Sequence, residues 1–153
     1  MANSIRIDRT IQAPVSRVYG AFLDGKSISR WMERKDYTCK PLSFDPEVGG
    51  IFRLEFSNAS VNLTYVIIGE FEELSVNQRI RYCERLDSPG WTSRVETVID
   101  FAPASRGTAL TVTQSNLPAT VSPHAITLAW QECLDRLAAL TEQMVGSLQT
   151  QSI

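Results

Sequence analysis

Histidine is scarce in this chain, and its scarcity excludes several kinds of site. The 153 residues include one histidine. His124 alone cannot form a metal site of several histidines, and any Ser-His-Asp or Cys-His triad would have to use it. It stands beside Pro123 in the predicted first turn of a helix, a position that favours an exposed or capping role. We therefore predict no catalytic residue and no metal site.

Cysteine is also scarce: the three residues are Cys39, Cys83 and Cys133. Their odd number and wide spacing provide neither a disulfide framework nor a Cys-x-x-Cys metal-ligand pair. Cys133 falls on the apolar stripe of a predicted helix, where a small buried side chain fits. We expect reduced thiols. No cofactor is indicated, since Gly49-Gly50 lacks the spacing of a dinucleotide-binding or phosphate-binding loop.

Long apolar runs and clusters of basic residues are missing as well. No run approaches the roughly 18 apolar residues that cross a bilayer, and the N-terminus lacks the apolar core of a signal peptide. We therefore expect a cytoplasmic protein without membrane insertion. The 15 basic residues are spread along a chain of net charge -2, whereas nucleic-acid-binding surfaces are densely basic. Nucleic acid is therefore not an expected partner.

What the sequence does contain is typical of one globular domain. Hydrophobic residues make up 43% of the chain and charged residues 21%, the proportions of an ordinary soluble domain. A chain of this length can build one good core but hardly two. We see no internal repeat and no linker. The prediction is a single α+β domain over residues 1–153.

Most of the chain before residue 120 alternates in the manner of β-strands. Residues 4–11 and 94–101 alternate most clearly, with Val95, Thr97, Ile99 and Phe101 facing one way. Two short helices follow the first strand, one opened by Pro14 and one over residues 27–32. The remaining predicted strands are residues 37–44, a strand from residue 51 to 56, residues 61–74 with Gly69 as a bulge or bend, residues 79–86 and residues 108–114.

A long helix is predicted over residues 122–144. Ser122 can cap it, Pro123 suits its first turn, and Gly146 suits its exit. One helix cannot bury an apolar stripe alone, so the stripe must pack against the preceding sheet. A long sheet around one helix leaves room for a ligand-sized cavity. The stripe consists of Ile126, Trp130, Cys133, Leu134, Leu137, Leu140, Thr141 and Met144.

Several short motifs follow one another in a characteristic order from residue 7 to residue 140. They are IQAP at 11–14, VYGAF at 18–22, ISRWM at 28–32, DPEVGG at 45–50, GEFEEL at 69–74, RIRY at 79–82 and GTALTVT at 107–113, with Trp130, Leu134 and Leu137 in the last helix. In this order the chain resembles the activator-of-Hsp90-ATPase-like (AHSA1) family of the START and Bet v 1-like superfamily. The resemblance implies a helix-grip fold, in which a curved antiparallel sheet of about six to seven strands wraps a long C-terminal helix.

The aromatic side chains provide the candidate site. Most aromatic residues pack in cores, but tyrosine and tryptophan also carry a polar group, and apolar pockets with few polar groups are typical ligand sites. We predict that a small apolar or amphipathic molecule binds between the sheet and the last helix. The predicted ligand-binding residues are Trp31, Phe52, Tyr65, Tyr82, Trp91 and Trp130.

Two further functions remain open. Helix-grip relatives include aromatase/cyclase and hydrolase activities, which need a polar group inside the cavity, and Glu96 and Tyr82 are the candidates. The family resemblance also implies a chaperone co-factor acting with an Hsp90-type protein. Finally, an exposed edge strand of the sheet could support a homodimer.

Overall fold

The computed structural model describes residues 3–91 and 93–151, with side chains from residue 4 to 142 apart from residue 92. Seven strands and three helices follow one another in these residues. They are β1 (Asn3–Ile11), α1 (Val15–Ala21), α2 (Gly25–Trp31), β2 (Thr38–Phe44), β3 (Ile51–Asn58), β4 (Leu63–Ser75), β5 (Arg79–Leu86), β6 (Val95–Ala104), β7 (Gly107–Leu117) and α3 (Pro123–Gln151).

All seven strands form one antiparallel sheet in the order β1-β7-β6-β5-β4-β3-β2. Only the β1–β7 contact joins strands that are distant in sequence, because each other pair is consecutive along the chain. The sheet is curved and open, with β1 and β2 at its edges. The predicted α+β helix-grip architecture of six to seven strands is confirmed.

The alternation read from the sequence decides which side chains enter the interior. On β6, Val95, Thr97, Ile99 and Phe101 are buried, as predicted. Glu96 alternates with these buried residues, so its side chain lies on the outer face of the sheet. The expectation that Glu96 could serve chemistry inside the cavity is therefore wrong, because neighbouring side chains of a strand point to opposite faces.

The bulge predicted as one possibility at Gly69 does not occur. The irregularity of β4 lies between Phe71 and Glu73, and Gly69 pairs regularly with Phe52 on β3 and Glu84 on β5. A Cβ on Gly69 would lie 1.9 Å from Cζ of the Phe52 ring. Glycine is needed here because an aromatic ring lies directly over the backbone, and no bulge is formed at this residue.

Helix α3 buries the predicted stripe and is anchored at one side of the sheet. Leu134, Leu137 and Thr141 are almost fully buried, and the helix packs against β1, α1 and α2. At its start, the Ser122 hydroxyl accepts a hydrogen bond from the Ala125 amide at 3.3 Å. These contacts hold α3 over β1. Space therefore remains between the first half of α3 and strands β3 to β5.

The end of α3 differs from the prediction. The helix continues through Gly146 to Gln151, since a glycine inside a helix costs only about 1 kcal/mol and does not by itself end it. The side chain of Met144, which was assigned to the apolar stripe, lies outside the described side chains. Within the described residues, no helix is long and apolar enough to cross a membrane.

Candidate ligand cavity

A cavity of about 270 Å³ lies between the sheet and the first half of α3. This volume is slightly below the usual range of small-ligand sites. The sheet supplies a mostly aromatic wall, and α3 supplies Ile126, Ala129, Trp130 and Cys133. The aromatic residues of the sheet wall are Phe44, Phe52, Phe56, Tyr65, Phe71 and Tyr82.

The aromatic wall contains two groups of contacting rings. Phe52 lies at its centre, with ring centroids 5.3 Å from Phe71 and 5.4 Å from Tyr82. At the other end of the strands, Phe56 and Tyr65 are directly paired across β3 and β4 and stack at 5.3 Å. Contacts of this kind between rings are favourable, and they form an apolar wall.

Five of the six predicted site residues line the cavity: Phe52, Tyr65, Tyr82, Trp91 and Trp130. The sixth predicted residue does not line the cavity, so this prediction is corrected. Trp31 is fully buried, its indole N–H donates to the Ala21 carbonyl at 2.9 Å, and its ring packs on Phe22. It has no surface left for a ligand, because α2 turns this ring into the core.

Two loops also contribute to the cavity wall. Trp91, in the β5–β6 loop, is half-buried, and its indole N–H donates to the Ser93 carbonyl at 3.1 Å. Pro118 and Val121, in the loop from β7 to α3, lie on the cavity wall and are half-buried too. His124 follows at the start of α3 and is exposed, as predicted.

One acidic residue, Glu84, lies on the cavity wall and was not predicted from the sequence. It is on β5, two residues after Tyr82, so both side chains face the interior. The residue is half-buried and lines the cavity. The sequence did contain a signal. Ile80 and Tyr82 are apolar residues of β5 that face the interior, and Glu84 continues the same alternation.

A chain of hydrogen bonds connects Glu84 with two other strand residues. Nε2 of Gln114 donates to Oε1 of Glu84 at 3.2 Å and to Oγ1 of Thr97 at 2.9 Å. Thr97 and Gln114 are both buried, so the chain joins β5, β6 and β7 by polar contacts inside an apolar interior.

The cavity changes the acidity of its polar residues. Burial raises the pKa of Glu84 to about 7, while the Gln114 hydrogen bond opposes that change. Burial, with a further contribution from Glu84, raises the pKa of Tyr82 well above its ordinary value. Near neutral pH the phenol is therefore uncharged, and the carboxyl exists in both protonation states.

A second polar group lies at the other end of the cavity. Nη2 of Arg34 donates to the Tyr65 hydroxyl at 2.7 Å, and the guanidinium lies 4.6 Å from the centre of the Tyr37 ring. Tyr65 and Gly69 are four residues apart on β4, or about 13 Å along the strand. Because Glu84 pairs with Gly69, the acidic and basic groups occupy separate parts of the wall.

The outer face of the sheet carries an unrelated cluster of Glu72, Cys83 and Glu96. Their ligand-type atoms lie within 4.8 Å of one another. The Cys83 thiol donates to Glu72 at 3.0 Å, and burial raises the pKa of Cys83 to about 11, so it is a neutral thiol near pH 7. All three cysteines of the chain are free, as expected.

The topology and the cavity define the class of protein. An antiparallel sheet curved around a long C-terminal helix, with two short helices after the first strand, is the helix-grip fold of START and Bet v 1-like domains. This fold is one that supports ligand binding in general.

Comparison with known families identifies the particular one. Residues 12–142 match the family described as activator of Hsp90 ATPase homolog 1-like protein. The match covers most of the chain, so the chain belongs to this family, and the resemblance noted in the sequence is confirmed. A comparison with curated proteins finds no match.

Solved structures have the same fold. The chain is similar to the crystal structure of protein CV1439 from Chromobacterium violaceum, with 37% identity, a TM-score of 0.88, and coverage of 92% of this chain and 97% of that one. An AHSA1-like protein from Aeromonas hydrophila, solved by NMR, is 21% identical with a TM-score of 0.75, covering 93% and 94%. A protein from Rhodobacter sphaeroides is 15% identical with a TM-score of 0.82, covering 92% and 93%. The latter two support the fold alone.

Proposed function

We propose that this protein binds a small hydrophobic or amphipathic molecule in the cavity between the sheet and the first half of α3. The observation that carries the proposal is the cavity itself. It is walled by aromatic and aliphatic side chains, and its few polar groups are grouped around Glu84 and Arg34. A concave apolar site with few polar groups is the usual form of a small-molecule site.

A ligand screen tests this proposal. The protein is mixed with lipids, aromatic compounds and polyketides, and binding is followed by thermal shift and native mass spectrometry. A ligand that binds the folded state raises the midpoint of unfolding with its concentration. If no compound of these classes shifts the midpoint or adds mass, the proposal is wrong.

A matched pair of variants connects binding to the cavity. Ala129 lines the cavity, whereas Ala139 is exposed on the same helix. Ala129→Phe places a ring in the space and is expected to weaken the binding of any hit by tenfold or more. Ala139→Phe adds the same ring to the solvent side and is expected to leave the affinity unchanged. Equal affinities for both variants would place the ligand outside the cavity.

A second candidate function is acid–base catalysis on a bound molecule. Glu84 favours it, because a carboxyl whose pKa burial raises to about 7 can both accept and donate a proton near neutral pH. Tyr82 would act as a neutral hydrogen-bond donor beside it. The test is turnover of any bound compound, followed by chromatography. An activity that persists in Glu84→Gln would exclude this mechanism.

A further inference from the structure

The surroundings of Glu84 leave its carboxyl open to the cavity. Its neighbour on β4 is Gly69, which has no side chain to cover it, and its neighbour on β6 is the apolar Val95. A charged group at the wall of an apolar cavity is unusual unless it is paired or serves a ligand. The paired neighbours supply no charge.

Only one of the two carboxylate oxygens is hydrogen-bonded within the described residues. Oε1 accepts from Gln114, and no described residue donates to Oε2. Among the described residues, every fully buried side-chain oxygen has a hydrogen bond. It follows that Oε2 is not fully buried, and the cavity is the space on which Glu84 lies.

The negative charge of ionised Glu84 has no partner among the described ion pairs. Arg34 is the basic group of the opposite part of the wall, and its contacts are the Tyr65 hydroxyl and the rings of Tyr37 and Phe56. Arg85 is exposed and donates to the Leu86 carbonyl at 3.5 Å. A cation at Glu84 must therefore come from the ligand.

We propose that the cavity prefers an amphipathic amine, whose ammonium group binds Oε2 of Glu84 and whose apolar part contacts the aromatic wall. The ammonium supplies the missing donor and the missing charge together. The Phe52 ring lies against Gly69, the strand neighbour of Glu84, and aromatic rings near a cation can attract it. This inference rests on the proposed function and names the ligand class of the same cavity.

Three probes of equal chain length test the inference: n-octylamine, n-octanol and octanoate. Their affinities for the intact protein are measured at pH 8 by calorimetry and by the fluorescence of Trp91 and Trp130, which line the cavity. Octylamine is expected to bind at least about tenfold more tightly than octanol, as a charge-assisted hydrogen bond in an apolar site predicts. Octanoate is expected to bind more weakly than octanol.

Two variants and a pH series separate a charge effect from an effect of folding. Glu84→Gln keeps the shape and is expected to abolish the preference for octylamine over octanol. Glu70→Gln, an exposed change on the outer face of the same sheet, is expected to keep the preference. The preference is also expected to decrease from pH 8 to pH 5.5 as Glu84 becomes protonated. The other titratable groups on the wall are Tyr65, Tyr82, Cys133, Arg34 and Arg85.

The outcomes distinguish the inference from the function on which it rests. If octanol binds and octylamine binds no more tightly, the cavity is a ligand site but the amine preference is wrong. If octanoate binds most tightly and Arg34→Gln removes its advantage, the site prefers anions, which also overturns the inference. If none of the three probes binds, the proposed function fails for linear amphiphiles, and the amine preference fails with it.

Discussion

Two regions lie between the same sheet and the same helix, and they are filled differently. The packed region comprises Ile11, Val18, Ile99, Leu110, Val112, Leu134 and Leu137, each at most 1% exposed. The cavity region comprises the residues that line the 270 Å³ space beneath the first half of α3. The packed region is mostly aliphatic, and the cavity region combines aromatic rings with the polar chain at Glu84.

The difference shows how one helix can both stabilise a fold and leave room for a ligand. Helix α3 packs on β1, α1 and α2, and side-chain contacts fix it there. Arg9 pairs with Asp135, and Glu142 accepts from the Gln12 amide at 2.8 Å. The rigid helix then extends over the aromatic strands without having to fill the space. The packed region should thus dominate stability, and the cavity region should dominate binding.

The largest expected effect is in the packed region. Leu137→Ala removes a fully buried side chain and is expected to lower the free energy of unfolding by about 3 kcal/mol, the cost of lost burial and a new cavity. Ile126→Ala, in the same helix, only enlarges an existing space and is expected to cost less than about 1.5 kcal/mol. Urea unfolding of both variants measures the difference. Equal losses would show that the two regions do not differ in packing.

The second prediction concerns Glu84 and pH. Its pKa is raised from 4.5 to about 7 in the folded protein, so the folded state holds this proton more tightly than the unfolded chain. The stabilisation is complete below about pH 4.5 and is lost as pH rises through about 7. Linkage limits the loss to about 3 kcal/mol, and water in the cavity will reduce it.

Glu84→Gln is therefore expected to be more stable than the wild type at pH 8, by about 1 to 3 kcal/mol, and to differ little at pH 4.5. Denaturant unfolding at both pH values measures this. Glu70→Gln is the matched control, since Glu70 is exposed on the outer face. A Glu84→Gln variant that is less stable than the wild type at pH 8 would show that the cavity does not penalise the charge.

The third prediction concerns the close contact inside the cavity region. Gly69→Ala forces the Phe52 ring to move, since the new Cβ would lie 1.9 Å from its Cζ. We expect a loss of about 1.5 kcal/mol, typical of an overpacked site. In a Phe52→Leu background the same change should cost much less, because the ring is absent. A double-mutant cycle measured by urea unfolding provides the coupling energy, and purely additive losses would contradict the assigned role of Gly69.

The architecture could be predicted from the sequence because it depends on periodicity. Alternation on β6 and the stripe on α3 each gave the correct buried faces, since one face of each element must leave water. Gly69 was misassigned because a glycine in a strand fits a bulge and a close ring contact equally well. Only the three-dimensional position of Phe52 separates these two explanations.

The site could be predicted only in part, for a related reason. Tyr82 and Phe52 were found because aromatic side chains are recognisable anywhere in a strand. Glu84 lies on the same face of β5 as Tyr82. It was not predicted as a site residue because acidic residues are usually exposed. Arg34 follows α2 in a non-periodic segment, where no sequence pattern shows which way a side chain points.

The smallest effect is expected on the outer face, directly beside the polar chain of the cavity. Cys83 follows Tyr82 on β5 but points outward, where its thiol donates to Glu72. Cys83→Ala removes one weak hydrogen bond from a half-buried group and is expected to change the free energy of unfolding by less than about 1 kcal/mol. Octylamine affinity should stay the same, because the thiol and the cavity lie on opposite faces of the sheet. A large loss of affinity in this variant, measured by calorimetry, would show that the two faces are coupled through β5 and that the cavity region is not an independent binding site.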